Sequence, residues 1–291
     1  MGDIGIIDIG SNTMVLKIYG ETGCEREDGY FSIAAHLISY IKDGRMEPEG
    51  IAAALAVLKK YRAILEERGI REAYGFITEP WRRIDNEREL FDTLSACGIP
   101  IEGLSGEEEA RFDFLGSRLD TGDITSGNMF DIGGGSTELV SFIDGEIHAS
   151  FSMPAGCLRL KTMPAERSVS VPFLKEAFET VPALLDTPSS VIIGSGGTCR
   201  AVKMMLDEIE PDKPYEKARL EDLFRRLSDK ETEAVSVMEK TVTPDRRDVI
   251  LPGMNLVLGI MDAYHAEEIR FSLYGVREGY LFEKVLKQRR G

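Results

Sequence analysis

The sequence predicts an α/β fold of two duplicated halves, each running βββαβαβα, with an interdomain cleft. Three observations predict it. A glycine-rich turn, Asp131-Ile132-Gly133-Gly134-Gly135-Ser136-Thr137-Glu138, lies between two strand-like runs, 128–130 and 139–143. The pattern appears once more near the N-terminus, where the apolar run 4–9 carries Asp8, Gly10-Ser11-Asn12-Thr13 turns, and 14–19 returns. Around both hairpins, segments of strand and helix period recur in the same order, as duplication of whole domains requires.

Each hairpin is built to meet an anion. Consecutive glycines remove Cβ atoms where a ligand must approach the backbone, so main-chain N–H groups of Gly133, Gly134 and Gly135 can point at phosphate. Ser136 and Thr137 add hydroxyls, and Gly10, Ser11, Asn12 and Thr13 repeat the arrangement. Asp131 and Glu138 flank the second turn and Asp8 the first; carboxylates there suit a hard cation escorting the phosphates. Either turn alone reads more readily as an ordinary tight hairpin. The pair is the specific signal.

At 291 residues and 43% hydrophobic content the chain can bury two cores. No run approaches the ~20 apolar residues of a membrane span, and the sequence enters a strand without a basic-then-apolar leader, so a cytoplasmic location is expected. Cys24, Cys97, Cys157 and Cys199 are scattered, which argues against zinc or a disulfide framework and predicts buried thiols. With only three histidines, the chemistry falls to carboxylates. The net charge of −15 disfavours nucleic acid and anionic membrane as partners.

Element by element, residues 24–46 read as a third strand and a loop, and Pro48 starts a helix to about Arg68 with Ile51, Leu55, Leu58, Ile64 and Leu65 as its apolar stripe. A strand at 73–77, a helix at 86–97 closed by Gly98, and a strand at 99–104 follow. Ser105-Gly106-Glu107-Glu108 is a capping box that occupies Glu108; Glu109, about 100° further round the helix, is left to face elsewhere. In the second half, strands are expected at 128–131, 138–143, 146–152 and 191–193, and a helix over 172–185. Gly194-Ser195-Gly196-Gly197-Thr198 leads into another helix, a third loop able to hold phosphate at a helix N-terminus through Gly196, Gly197 and Thr198. Residues 216–264 read as a helical insertion before a strand at 269–272 and a helix at 277–287. Gly122, Ser126 and Gly127 place the domain boundary between 1–122 and 123–291.

The set Asp8-Ile9-Gly10-Ser11-Asn12, Thr78 with Arg82 and Asn86, Ser105 to Arg111, Asp131 to Glu138, Gly156-Cys157 with Arg159-Leu160, Gly194 to Thr198 and Arg277-Glu278-Gly279 resembles the exopolyphosphatase/guanosine pentaphosphate phosphohydrolase (Ppx/GppA phosphatase) family. That family lies within the actin, sugar-kinase and heat-shock ATPase superfamily, whose duplicated domains are ribonuclease H-like. The resemblance implies a hydrolase acting on the terminal phosphoanhydride of short-chain inorganic polyphosphate or guanosine pentaphosphate (pppGpp), releasing orthophosphate with Mg2+. It implies Glu109 as catalytic base, Arg82 reaching toward substrate, Arg111 assisting, and Asp8, Asp131 and Glu138 at the metal and phosphate site. It also allows a homodimer. The segment 32–46 departs from the family's basic, glycine-containing pattern, and the chain ends soon after Gly279, where longer members continue into a helical domain. A non-catalytic sensor of phosphorylated nucleotides and an ATP-using actin-like ATPase or kinase are the alternative functions.

Overall fold

The computed structural model describes residues 2–163 and 167–290. The chain forms two compact units, one of Met1–Glu109 with Arg277–Gly291 and the other of Ala110–Val276.

The first unit is built on a five-stranded sheet. Strands β1 (Ile4–Ile9), β2 (Thr13–Tyr19) and β3 (Glu25–Ala34) form an antiparallel meander. A single 3-10 turn (Leu37–Tyr40) and a small hairpin, β4 (Ile41–Lys42) and β5 (Arg45–Met46), occupy the stretch read as a loop. Helix α1 (Pro48–Glu67) begins on a proline, which loses nothing at a position whose N–H is unsatisfied anyway. It buries Ile51, Ala54, Val57, Leu58, Tyr61 and Leu65; Leu55 and Ile64 of the expected stripe are only partly buried. Strand β6 (Glu72–Ile77), helix α2 (Glu87–Ser95) and strand β7 (Ile101–Gly103) complete the order β3-β2-β1-β6-β7.

The second unit repeats this plan. Strands β8 (Gly127–Ile132), β9 (Thr137–Ile143) and β10 (Glu146–Met153) form the meander. After α4 (Cys157–Leu160) the helix expected over 172–185 is broken in two, α5 (Val171–Thr180) and a 3-10 turn (Pro182–Leu185). Pro182 lacks an N–H and drives Val181 out of helical geometry (φ −131°, ψ 78°). Strand β11 (Val191–Ser195) leads into α6 (Gly196–Ile209), and the insertion is three helices, α7 (Lys217–Ser228), α8 (Thr232–Thr241) and α9 (Ile250–Ala263), ahead of β12 (Glu268–Phe271). The sheet order is β10-β9-β8-β11-β12, the same as in the first unit when each half is counted from its own first strand. Both sheets therefore have the order 3-2-1-4-5, built on the repeated ribonuclease H-like element order expected from the sequence.

The units differ from sequence halves 1–122 and 123–291 at both ends. Helix α3 (Gly106–Thr121) sends Ala110 and Phe114 into a cluster with Met129, Val140, Phe142 and Ile193 of the second sheet. The terminal helical run, α10 (Val276–Tyr280), a π-helical stretch (Leu281–Leu286) and α11 (Lys287–Arg290), packs with the first sheet from Arg277 on. There the Tyr280 ring lies 4.8 Å from Phe76 and its hydroxyl donates to Glu102. Of the four cysteines, Cys157 and Cys199 are buried as expected, whereas Cys24 is exposed.

The capping box forms as the sequence predicts: the Glu108 N–H donates to Ser105 Oγ at 3.1 Å, and the Ser105 N–H donates to Glu108 Oε2 at 3.0 Å. Ser105→Ala should cost about 1 kcal/mol of stability, the usual value of an N-cap hydroxyl. Urea denaturation of the intact chain measures it; a change below about 0.3 kcal/mol would show that the cap does not matter to α3.

Candidate active site

Both hairpin turns are held from behind by the segment that follows the third strand. In the second unit Cys157 N donates to the Gly133 carbonyl (3.1 Å) and Leu158 N to the Gly134 carbonyl (3.0 Å). In a trans peptide the C=O and the following N–H point in opposite directions. The N–H groups of Gly134 and Gly135 are therefore turned to the side away from α4. In the first unit Ile38 N donates to the Ser11 carbonyl, and Ala35 N and His36 N to the Asn12 carbonyl, which orients the N–H groups of Asn12 and Thr13 in the same way. The first glycine N–H of each turn is used within the turn: Gly10 N donates to Thr13 O and Gly133 N to Ser136 O, closing the turns. Segment 32–46, which departs from the family pattern, thus supports the first turn from behind.

Several of the turn hydroxyls are engaged within the protein. Thr137 is fully buried and donates to Ala155 O at 2.6 Å. Ser11 donates to the buried Glu79 carboxylate at 2.8 Å, and Asn12 Oδ1 is 2.7 Å from His36 Nδ1. Thr198 packs on Gly253 of α9 with its hydroxyl and methyl, so its hydroxyl is turned into the protein. Ser136 is buried. The Thr13 hydroxyl is shielded and, among the described residues, has no hydrogen-bond partner. The hydroxyl protons of Ser11 and Thr137 are therefore already donated within the protein, which leaves their backbone N–H groups as the donors a phosphate could use.

The carboxylates fall into two settings. In the first unit Asp8 Oδ2 accepts from Arg277 Nη1 at 2.8 Å. Burial works against the charge of Arg277, but Glu278 and Asp8 outweigh it and raise its pKa. Glu278 in turn accepts from Tyr19 (2.5 Å) and Lys17 (3.0 Å), and burial, then Glu278, pushes the Tyr19 phenol well up. In the second unit Asp131 accepts from Ser195, and Glu138 accepts from Ser152 at 2.8 Å. Asp131 and Glu138 are register partners across the hairpin. Asp113, a buried residue of α3, has a carboxylate oxygen within 4.8 Å of one of Glu138. A Cβ at Gly275 would sit 3.2 Å from Asp113 Oδ1 and 3.6 Å from Asp131 Oδ2. Sequence reasoning missed Asp113, which carries no motif of its own; its one signal is its place one turn after Glu109, on the same side of α3.

Glu109 is buried and accepts from Arg82 Nη1 at 2.6 Å, with Arg82 also reaching Leu104 O at 3.2 Å. Arg82 and Glu109 thus form an ion pair, a contact not foreseen from the sequence. Arg111, by contrast, is exposed and leaves the helix about 200° round from Glu109. Arg159 is occupied by Pro154 O and the Phe173 ring. The cation that approaches the third glycine loop is Arg246, from the helical insertion: a Cβ at Gly197 would lie 2.0 Å from its Nη1. Gly196 has φ +93° and would bring a Cβ within 2.8 Å of Asp131 Oδ1, so glycine alone fits there.

This architecture defines a class: a duplicated ribonuclease H-like protein with one backbone-lined hairpin per half and buried carboxylates beside the second. The family model of the Ppx/GppA phosphatase family matches residues 38–288, and the chain belongs to that family. It is similar to exopolyphosphatase 1 of Mycobacterium tuberculosis, 28% identical over 163 residues, a match covering 54% of this chain and 47% of that protein. The match thus spans about half the length of the curated relative. An exopolyphosphatase structure from Cytophaga hutchinsonii superposes with TM-score 0.85 at 23% identity over 98% of both chains. The Aquifex aeolicus Ppx/GppA family member does so with TM-score 0.78 at 24% identity over 100% of this chain and 99% of that one. At these identities the two structures establish the shared fold.

The close approach of Gly156 to the second turn is testable. Its backbone is extended (φ −121°), which any residue can adopt, yet a Cβ would lie 2.4 Å from the Gly134 carbonyl oxygen. Gly156→Ala should destabilise by about 1–3 kcal/mol, the cost of overpacking, and weaken binding of phosphate-containing ligands. Calorimetric titration with tripolyphosphate checks it; unchanged affinity would mean that the turn is not held by this contact.

Proposed function

We propose that the protein is a magnesium-dependent phosphatase that removes the terminal phosphate of short-chain inorganic polyphosphate or of guanosine pentaphosphate, as orthophosphate. One observation carries the reading: the second turn's N–H groups are fixed on one side by Cys157 and Leu158, beside the buried carboxylates of the same unit. Fixed N–H groups stabilise charge on phosphoryl oxygens without reorganising during reaction. In this reading Gly134 and Gly135 bind the phosphoryl group through their N–H groups, and Arg246 adds positive charge beside Gly197. Glu109 takes the proton of an attacking water, and Arg82 aims its carboxylate.

Asp113 and Glu138 bring carboxylate oxygens within 4.8 Å of each other, and an all-oxygen donor set of this kind fits magnesium. Asp113, Asp131 and Glu138 would hold the ion. When bound it would supply positive charge to the phosphate oxygens. Asp8, paired with Arg277, is assigned instead to anchoring that arginine.

Glu109→Gln should lower turnover roughly a hundredfold or more while leaving ligand binding intact, the usual scale for a lost general base. Orthophosphate release from a panel of polyphosphates, guanosine pentaphosphate and ATP measures it. Equal activity in the variant would remove Glu109 from the role, and ATP as the preferred substrate would favour a kinase or ATPase instead. Activity should vanish in excess chelator, and Glu138→Gln should raise the magnesium concentration needed.

With 50 acidic against 35 basic residues, long-range steering opposes a long polyanion. Long polyphosphate should therefore shorten gradually as a population. Gel analysis during partial digestion distinguishes this from full-length chains coexisting with free phosphate, the processive outcome that would overturn the short-substrate preference.

A further inference from the structure

The two hairpins are alike in backbone and opposite in what stands beside them. Strand register fixes the comparison. Strand β6 runs parallel to β1 with Phe76 opposite Asp8, and β11 runs parallel to β8 with Ser195 opposite Asp131. Counting on from these pairs, Glu79 occupies in the first unit the position that Thr198 occupies in the second. The second unit thus has a neutral threonine there, with the Arg246 guanidinium on the adjoining glycine. The first unit has a carboxylate that is only 5% exposed.

That carboxylate is tied to the first turn. Ser11 Oγ donates to Glu79 Oε2 at 2.8 Å, and Arg83 Nη1 lies 3.2 Å from Glu79 Oε1. The Arg83 side chain is 41% exposed, so solvent weakens its compensation of the buried charge. Among the described residues Arg83 is the cation paired with Glu79, whereas Arg277 pairs with Asp8 and Lys17 with Glu278 and Glu25. A hydroxyl whose proton is given to a carboxylate has only lone pairs left for a ligand. Ser11 thus presents an acceptor where a phosphate oxygen needs a donor, and an anionic charge stands directly behind it.

We propose that Glu79 is a specificity-determining residue that makes the first hairpin the weaker phosphate subsite, loosening its hold on orthophosphate. This rests on the phosphate-binding reading above and goes beyond it by assigning unequal roles to the duplicated turns. Glu79 acts through Ser11 and through its charge, and it takes no part in bond making.

The test is calorimetric titration of the full chain with inorganic phosphate, alongside product inhibition. Glu79→Gln keeps an oxygen to accept the Ser11 proton and removes the charge. It should tighten phosphate at least about fivefold, the scale of deleting one like charge about 4 Å away in a water-like dielectric. The inhibition constant for phosphate should fall in parallel, with the turnover number changed less than KM. Glu79→Asp, which keeps the charge, should not tighten phosphate. A purely structural Glu79 would instead make both variants bind more weakly. Should Glu79→Gln fail to fold, Arg83→Gln at the half-exposed partner uncovers the carboxylate and should weaken phosphate at least threefold. Unchanged or weaker binding in Glu79→Gln, or no binding in wild type and variant alike, overturns the proposal, as does unchanged binding in Arg83→Gln. Absence of orthophosphate release from every substrate in the panel would instead overturn the proposed activity, and the phosphate titrations would still read Glu79.

Discussion

Everything proposed for the turns depends on which way their peptide planes are rotated, and that rotation is imposed from outside the turns. A glycine-rich loop alone has many accessible orientations, and each costs entropy to select. Here the selection is made by N–H groups of Cys157 and Leu158 in one unit and of Ala35, His36 and Ile38 in the other, each directed at a turn carbonyl. Because a trans peptide is rigid, fixing the carbonyl aims the N–H. The third strand of each meander is therefore more than a sheet edge: it delivers the segment that aims the turn.

Once the backbones are equivalent, differences between the units reside in side chains. The first unit surrounds its turn with ion pairs, Asp8 with Arg277 and Glu278 with Lys17, and sets Glu79 behind Ser11. The second sets hydroxyl donors, Ser195 and Ser152, on Asp131 and Glu138 and brings the Asp113 carboxylate close to that of Glu138, an all-oxygen grouping of the kind a hard cation takes. Duplication supplied one scaffold twice, and divergence of a few positions made the copies chemically unequal.

Local rules account for what could be read in advance. The strand order, the two hairpins and the α3 cap follow from period, glycine content and the Ser105–Glu108 spacing, all of which act within a few residues. The same cap that engages Glu108 leaves Glu109 turned elsewhere, and it meets Arg82. The break at Pro182 was equally local, and the apolar period on either side of it concealed the break.

The sequence by itself determined the duplicated sheets, both turns and the acidic residues that flank them, because each is encoded by neighbours in the chain. Only the tertiary structure decided which hydroxyls had already given up their protons, that Asp8 would be claimed by Arg277, that Arg246 would come to Gly197, and that α3 and the terminal run would pack with the sheet of the other half. Those outcomes depend on contacts between residues tens to hundreds of positions apart. No local period or motif spacing carries that information, since it is set by which apolar surfaces bury one another and by which charges are then left to pair.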